Sequence, residues 1–156
     1  MPILRSIEFL ALSVWLGSDI FLSFVVAPGA FSLLASRDQA GAIVGYSLTR
    51  LHILGIVCGV VILLFRAVRT RGLATLATPA ALCVLLMIAL TTVSQLTVSP
   101  RMASLRVQMG SIQAAALESP LLREFSRWHR VSVGLESGVL LAGLLALYLF
   151  VRETAS

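Results

Sequence analysis

The sequence predicts an all-α polytopic membrane protein, a four-transmembrane-helix bundle built as two tandem helix hairpins. Three observations lead there. Hydrophobic residues make up 58% of the 156 and charged residues only 12%, where a soluble domain carries about 25% charged. Crossing ~30 Å of hydrocarbon takes about 20 mostly apolar residues, and four stretches qualify: about 4–27, 51–68, 73–98 and 131–151. The second and fourth stretches also open on one short signature. Arg50-Leu51-His52 leads into Ile53 to Phe65, and Arg127-Trp128-His129 leads into Val131 to Val151. Each follows a proline expected to end the helix before it, Pro28 and Pro100, and each precedes a Gly-x-x-x-Gly, Gly55 with Gly59 and Gly134 with Gly138. Little is left over for a soluble domain, so 1–156 reads as a single integral membrane domain.

The first stretch carries Trp15-Leu16-Gly17. Its apolar run is longer than a signal-peptide core and contains Glu8 and Asp19, so it reads as a retained span. It should end near Pro28, because the residue before a proline is pushed out of helical geometry. Phe31 to Ala35 is short and apolar and suits the interface. Ser36 to Thr49 is polar, yet glycine is its one type of breaker, which leaves it open to continuing as helix into span two. Span two ends in Arg66, Arg69 and Arg71 with Gly72 as the stop, so the turn to span three is tight and the two spans are antiparallel neighbours. Pro79 falls in the first turns of span three, where a missing donor matters least. Between spans three and four, Met102, Leu105, Val107, Met109, Ile112, Ala116 and Leu117 alternate with polar residues in a partly helical pattern. This predicts an amphipathic helix on the bilayer surface, with a cap over the polar ends of the spans as the alternative. Glu118-Ser119-Pro120 makes the turn into the fourth helix.

The net charge is +5, and every basic side chain is arginine. Most lie at segment ends, where anionic headgroups and snorkelling favour them. A nucleic-acid partner would call for a basic face on a soluble module, and none is present. Arg5, Arg66, Arg69, Arg71 and Arg152 fall on one side of the membrane, and Arg37, Arg50, Arg101, Arg106, Arg123, Arg127 and Arg130 on the other. The dense cluster after span two is the stronger positive-inside signal, so both termini are expected in the cytoplasm, with a bacterial inner membrane as the setting. Cys58 and Cys83 lie inside spans without a Cys-x-x-Cys, which signals neither zinc nor a redox pair.

Ionisable groups inside spans cost about 2.5–3.5 kcal/mol each on insertion scales and so face protein or water. Glu8 lies near the membrane face opposite Asp19 and has Arg5 beside it to snorkel with. Asp19, eight residues before Pro28, and Glu136, seven after His129, sit about 10–12 Å below one surface at 1.5 Å per residue. Gln95, His52 and His129 belong to the same leaflet, so all four spans place polar groups in one half of the bilayer. Positions three and four apart share a helix face. His129, Ser132 and Glu136 therefore form one stripe, His52, Gly55 and Gly59 another, and Trp15 shares a face with Asp19. Aligning the repeats pairs His52 with His129, and Gly59 with Glu136, for which Gly59 would leave room.

Asp19, His52, Gln95, His129 and Glu136 are thus the candidates for a polar pocket. The plainer reading makes the histidines interfacial residues touching headgroups, and the carboxylates buried contacts that set helix packing. Trp15, Gly17, Gly55, Gly59, Gly134 and Gly138 read as packing positions, since small residues let helices approach. His52 and His129 are also candidate metal or haem ligands, because imidazole and carboxylate are common ligands, although no close-spaced ligand motif accompanies them.

Trp15-Leu16-Gly17, Val26-Ala27-Pro28 with Phe31, Gln39-Ala40-Gly41, Ser99-Pro100-Arg101 with Leu105-Arg106, and Phe125 with His129 resemble the transmembrane protein 205-like family (domain of unknown function 4149) over about residues 8 to 147. The resemblance implies a four-helix membrane protein without a settled activity. Asp19 departs from it, standing where a small or apolar residue is expected. The Trp-x-Gly and the histidines at span ends also look like copper-resistance D proteins and bacterial haem-binding protoporphyrinogen oxidases, a likeness of architecture that does not carry function.

Three functions follow as alternatives. The first is a non-enzymatic protein binding or moving a small solute, metal ion or lipid through the polar half-bundle. The second is a haem- or metal-dependent oxidoreductase using His52 and His129, whose rings would have to converge on one ion. The third is a structural subunit of a membrane complex, or a homo-oligomer, in which the polar groups only set register. The sequence contains no paired nucleophile and base, phosphate loop or metalloprotease motif, which argues against hydrolases and nucleotide-driven pumps.

Overall fold

The computed structural model describes residues 2–116 and 118–155, with the side chains of Pro2 and Ala155 left aside. It is an all-α bundle with four helices long and apolar enough to cross a membrane, over Ile3–Leu33, Arg37–Thr70, Pro79–Met109 and Pro120–Thr154. Span one packs mainly on span two and span three mainly on span four, while contacts between two and three and between one and four close the ring. Leu12, Trp15, Ile62, Val84, Met87, Val139 and Ala146 meet in a core drawn from all four spans. Large apolar side chains such as Leu10, Phe24, Leu64, Leu86 and Leu141 cover the outside. Such a surface suits lipid, since a soluble protein rarely exposes so continuous an apolar coat.

Neither proline ends its helix, contrary to the sequence reading. Span one is α-helical over Pro2–Phe21 (α1), widens to a π-turn at Leu22–Val26, and resumes over Ala27–Leu33 (α2). Span three repeats the device, with Pro79–Val93 (taken below as α4), a π-turn at Ser94–Val98 and Ser99–Met109 (α5). In each, the π-turn stops two residues before the proline. Proline has no N–H and its ring crowds the carbonyl four residues back; a π-turn shifts the bonding to i→i+5 and makes that room. The Ala27 N–H accordingly reaches Leu22 O, and the Ser99 N–H reaches Ser94 O. Phe31 to Leu33 thereby joins span one instead of forming a separate interfacial piece.

Span two is one helix, Arg37–Thr70 (α3), capped by the Ser36 hydroxyl, which accepts from the N–H groups of Asp38 and Gln39. Its 34 residues run about 51 Å at 1.5 Å per residue, well beyond the ~30 Å of hydrocarbon. The polar stretch before His52 is therefore a helical extension of the span. At the other end Arg71, not Gly72, takes the left-handed conformation at φ 54°, while Gly72 is extended. The Gly72 N–H then closes on Ala67 O, the wide ring of a Schellman stop. Residues Leu73–Ala77 form a 3₁₀ turn, so span three starts at Pro79 and not at 73, with Thr78 as its cap. Of the amphipathic residues after Pro100, Met102, Leu105, Val107 and Met109 are helical and continue span three as α5, whereas Ile112 and Ala116 lie in the turns that follow. Leu117 of that expected pattern lies outside the described residues. Span four is one helix, Pro120–Ala155 (α6).

Candidate functional site

The structure brings three of the five polar candidates into direct contact. His52, on α3, is buried, and its ring bridges two other spans. Nδ1 lies 2.8 Å from Gln95 Oε1 in the π-turn of span three, and Nε2 lies 2.7 Å from Glu136 Oε1 on α6. The same Glu136 oxygen accepts the Ser94 hydroxyl at 3.1 Å. Asp19 is buried on α1 and close enough to interact electrostatically with Glu136 and His52. One Asp19 oxygen accepts the Ser23 hydroxyl at 3.3 Å, and Oδ2 is buried without a hydrogen-bond partner.

The protonation pattern of His52 follows from its partners. With the Gln95 amide oxygen facing Nδ1, that nitrogen donates, and one proton lies between Nε2 and Glu136 Oε1, as an imidazolium–carboxylate or an imidazole–carboxylic acid pair. Turning the amide over presents its NH₂ to Nδ1, and the ring is then neutral. The two arrangements differ by one proton and one amide rotation.

His129 does not join this group. It is exposed on α6 and lines a larger cavity nearer the helix ends. The expected His52–His129 pairing is therefore replaced by His52 with Glu136 and Gln95. Gly59 does not make room for Glu136 either. A Cβ at Gly59 would meet Ile88 Cγ1 at 2.6 Å and Trp15 Cζ3 at 2.9 Å, and one at Gly55 would meet the Trp15 indole. The glycine notch of span two thus receives Trp15 and Ile88. Gly138 faces Leu90 Cδ1 at 3.1 Å, whereas Gly17 and Gly134 have nothing within 4 Å. Those two are not packing positions within the bundle.

Two cavities lie in this half of the bundle, and Glu136 is the member of the group that lines one of them. The inner one, about 320 Å³, has Glu136, Ser132 and Ser137 on one wall and the π-turn of span one, with Ser23, on another. The outer one, about 560 Å³, is lined by Arg37, Arg106, Phe125 and His129. Val44, Leu48 and Ser132 line both. Both volumes fall within the ~300–1,000 Å³ of small-molecule sites.

A haem or metal fits these residues poorly. Both ring nitrogens of His52 are engaged, so ligation would break one of its bonds, and among the described residues no three His, Cys, Asp or Glu side chains converge as a ligand set.

Sequence reasoning missed the ionic layer at the opposite end. Glu8 is buried, with Arg69 Nε at 2.7 Å from Oε1 and Arg66 Nη1 at 3.6 Å from Oε2, so Arg5 is not its partner. Arg66 also donates to Glu153 at 2.5 Å and lies over the Phe150 ring at 5.1 Å. Arg5 donates to the Glu153 backbone carbonyl. The signal was available: Glu8, Arg66, Arg69 and Glu153 all fall at one end of their spans.

Fold and site together define a class: an all-α membrane protein with a buried carboxylate–imidazole group beside two cavities. The chain belongs to the domain of unknown function family DUF4149, whose model matches residues 10–111. That match covers spans one to three and stops short of α6, so Ser132 and Glu136 lie beyond it. No curated protein and no solved structure matches the chain.

Proposed function

We propose that the protein binds a small cationic solute at the inner cavity and moves it through the polar half of the bundle. The observation that carries this reading is the buried, unpartnered Oδ2 of Asp19 beside the His52–Glu136 pair. Glu136 bonds the imidazole and Asp19 lies within electrostatic reach of both, so with both carboxylates ionised even a protonated ring leaves one negative charge unbalanced. A buried charge without a partner is strongly disfavoured, and a proton or a bound cation is what balances it. Glu136 faces the inner cavity, whose walls are otherwise mostly apolar, an arrangement suited to an organic ammonium ion. The solute and a proton would then compete for one charge.

The setting we propose is a bacterial inner membrane with both termini in the cytoplasm. Arg71 and Arg152, both exposed beside the ionic layer, support that orientation.

Titration of purified protein with tetraethylammonium, sodium and potassium tests the reading. The expected result is saturable binding of the organic cation, weakened at least tenfold in Asp19→Asn and Glu136→Gln while thermal unfolding is retained. Equal affinity in wild type and both variants would overturn it.

A further inference from the structure

The outer cavity has the opposite charge character from the inner one. Its charged lining residues are Arg37 and Arg106, with His129 beside them, and no carboxylate lines it. Arg106 is the better placed. One of its Nη atoms donates to Gly41 O at 2.9 Å, its guanidinium lies 5.7 Å from the Phe125 ring centroid, and Nε is buried without a hydrogen-bond partner. Asp38 interacts with Arg106 electrostatically, but its oxygens already accept the Ser111 hydroxyl at 2.5 Å and the Ile112 N–H at 2.7 Å, and it does not line the cavity. The guanidinium therefore keeps donor capacity on a cavity wall. The rest of that wall is mostly apolar and aromatic, with Phe31, Tyr46, Val44, Leu48 and Met102 beside the hydroxyls of Thr49, Ser99 and Ser132.

A cationic mouth on an apolar chamber matches a molecule with an anionic head and a hydrocarbon tail. We propose that the outer cavity is a binding site for a single-chain anionic amphiphile of the fatty-carboxylate class. The head would sit between Arg106 and Arg37 and the tail along Val44 and Leu48, toward the inner cavity. Arginine suits the head because its fork of donors meets a carboxylate in two parallel bonds. The volume, about 560 Å³, lies inside the range of sites that enclose one small ligand, roughly 300–1,000 Å³, and favours one chain over a two-chain phospholipid. The head position at Arg37 and Arg106 is distinct from the cation site, although Val44, Leu48 and Ser132 line both cavities, and each proposal stands without the other.

Native mass spectrometry of the purified protein, titrated with decanoate and with decanol of equal chain length, tests the proposal. The expected result is one decanoate adduct with at least a tenfold preference over decanol. Arg37→Gln combined with Arg106→Gln should weaken that adduct at least tenfold. Because Arg106 also braces Gly41, two further variants guard against misfolding. Arg37→Gln alone removes an exposed side chain and should weaken decanoate severalfold. Ala103→Phe fills the chamber and should block decanoate with both arginines present, while tetraethylammonium binding at the inner site persists. Equal uptake of decanol, undiminished decanoate binding in correctly folded variants, or displacement of decanoate by phosphatidylglycerol at equal concentration would each overturn the proposal.

Discussion

At the end of the bundle where the termini lie, two carboxylates meet two guanidiniums: Glu8 faces Arg66 and Arg69, and Glu153 faces Arg66. About 21 Å along α3 from Arg66, at 1.5 Å per residue, the His52 imidazole bonds Glu136, and nearby Asp19 keeps an oxygen with no partner. The first arrangement ties spans one, two and four together with opposite charges in balance. The second leaves a charge uncompensated beside a cavity. The ionic layer joins helices through paired opposite charges, and the polar half, with a carboxylate oxygen left unpartnered, is where we propose that a cation binds.

The largest expected effect tests the fastening end. Replacing Arg66 and Arg69 together by alanine strands the buried Glu8 and should cost about 3–5 kcal/mol, as breaking one half of a buried ion pair does; reversible unfolding in mixed micelles reads it. A loss below about 1 kcal/mol would mean that water already screens this layer, and the contrast would collapse. Gly59→Val comes next. Its side chain would press on Trp15 and Ile88, and overpacking of this kind costs about 1–3 kcal/mol. Asp19→Asn should stay within about 1 kcal/mol of wild type, because the carboxylate it replaces satisfies only one of its oxygens. A large destabilisation by Asp19→Asn would make the polar half a fastening device too. Gly134→Ala is the smallest, a gain of about 0.5–1 kcal/mol from helix propensity, since nothing surrounds that position. A loss instead, with a change in oligomeric state, would make that face an interface with a second copy.

The spans, the pairing of spans two and three and the all-α class were legible because apolar length and the arginine clusters follow directly from the cost of placing polar groups in lipid, whereas the connection after span two is longer than the tight turn expected, running through Leu73–Ala77 to Pro79. Helix ends were less legible. Pro28 and Pro100 read as stops because a proline lacks its donor, but a π-turn ahead of each absorbs the defect, and nothing local in Leu22–Val26 or Ser94–Val98 announces one. That geometry also hid Ser94. On a regular helix it would point about 100° away from Gln95, yet both reach the His52–Glu136 pair. The stripes carrying Asp19, His52 and Glu136 could be read from helical spacing. Which stripe meets which could not, because helix rotation depends on Trp15 filling the notch at Gly55 and Gly59. The internal repeat therefore described the two hairpins better than it described the site between them.

The central claim is that Asp19 and Glu136 share a charge that a proton or a cation must balance. Infrared difference spectroscopy of the purified protein, recorded with and without tetraethylammonium, tests it most directly. Cation binding is expected to shift the carboxyl stretch of a buried protonated acid, and the shift should disappear in Asp19→Asn or Glu136→Gln. A wild-type protein with no cation-dependent carboxyl signal, or one whose signal survives both substitutions, would contradict it.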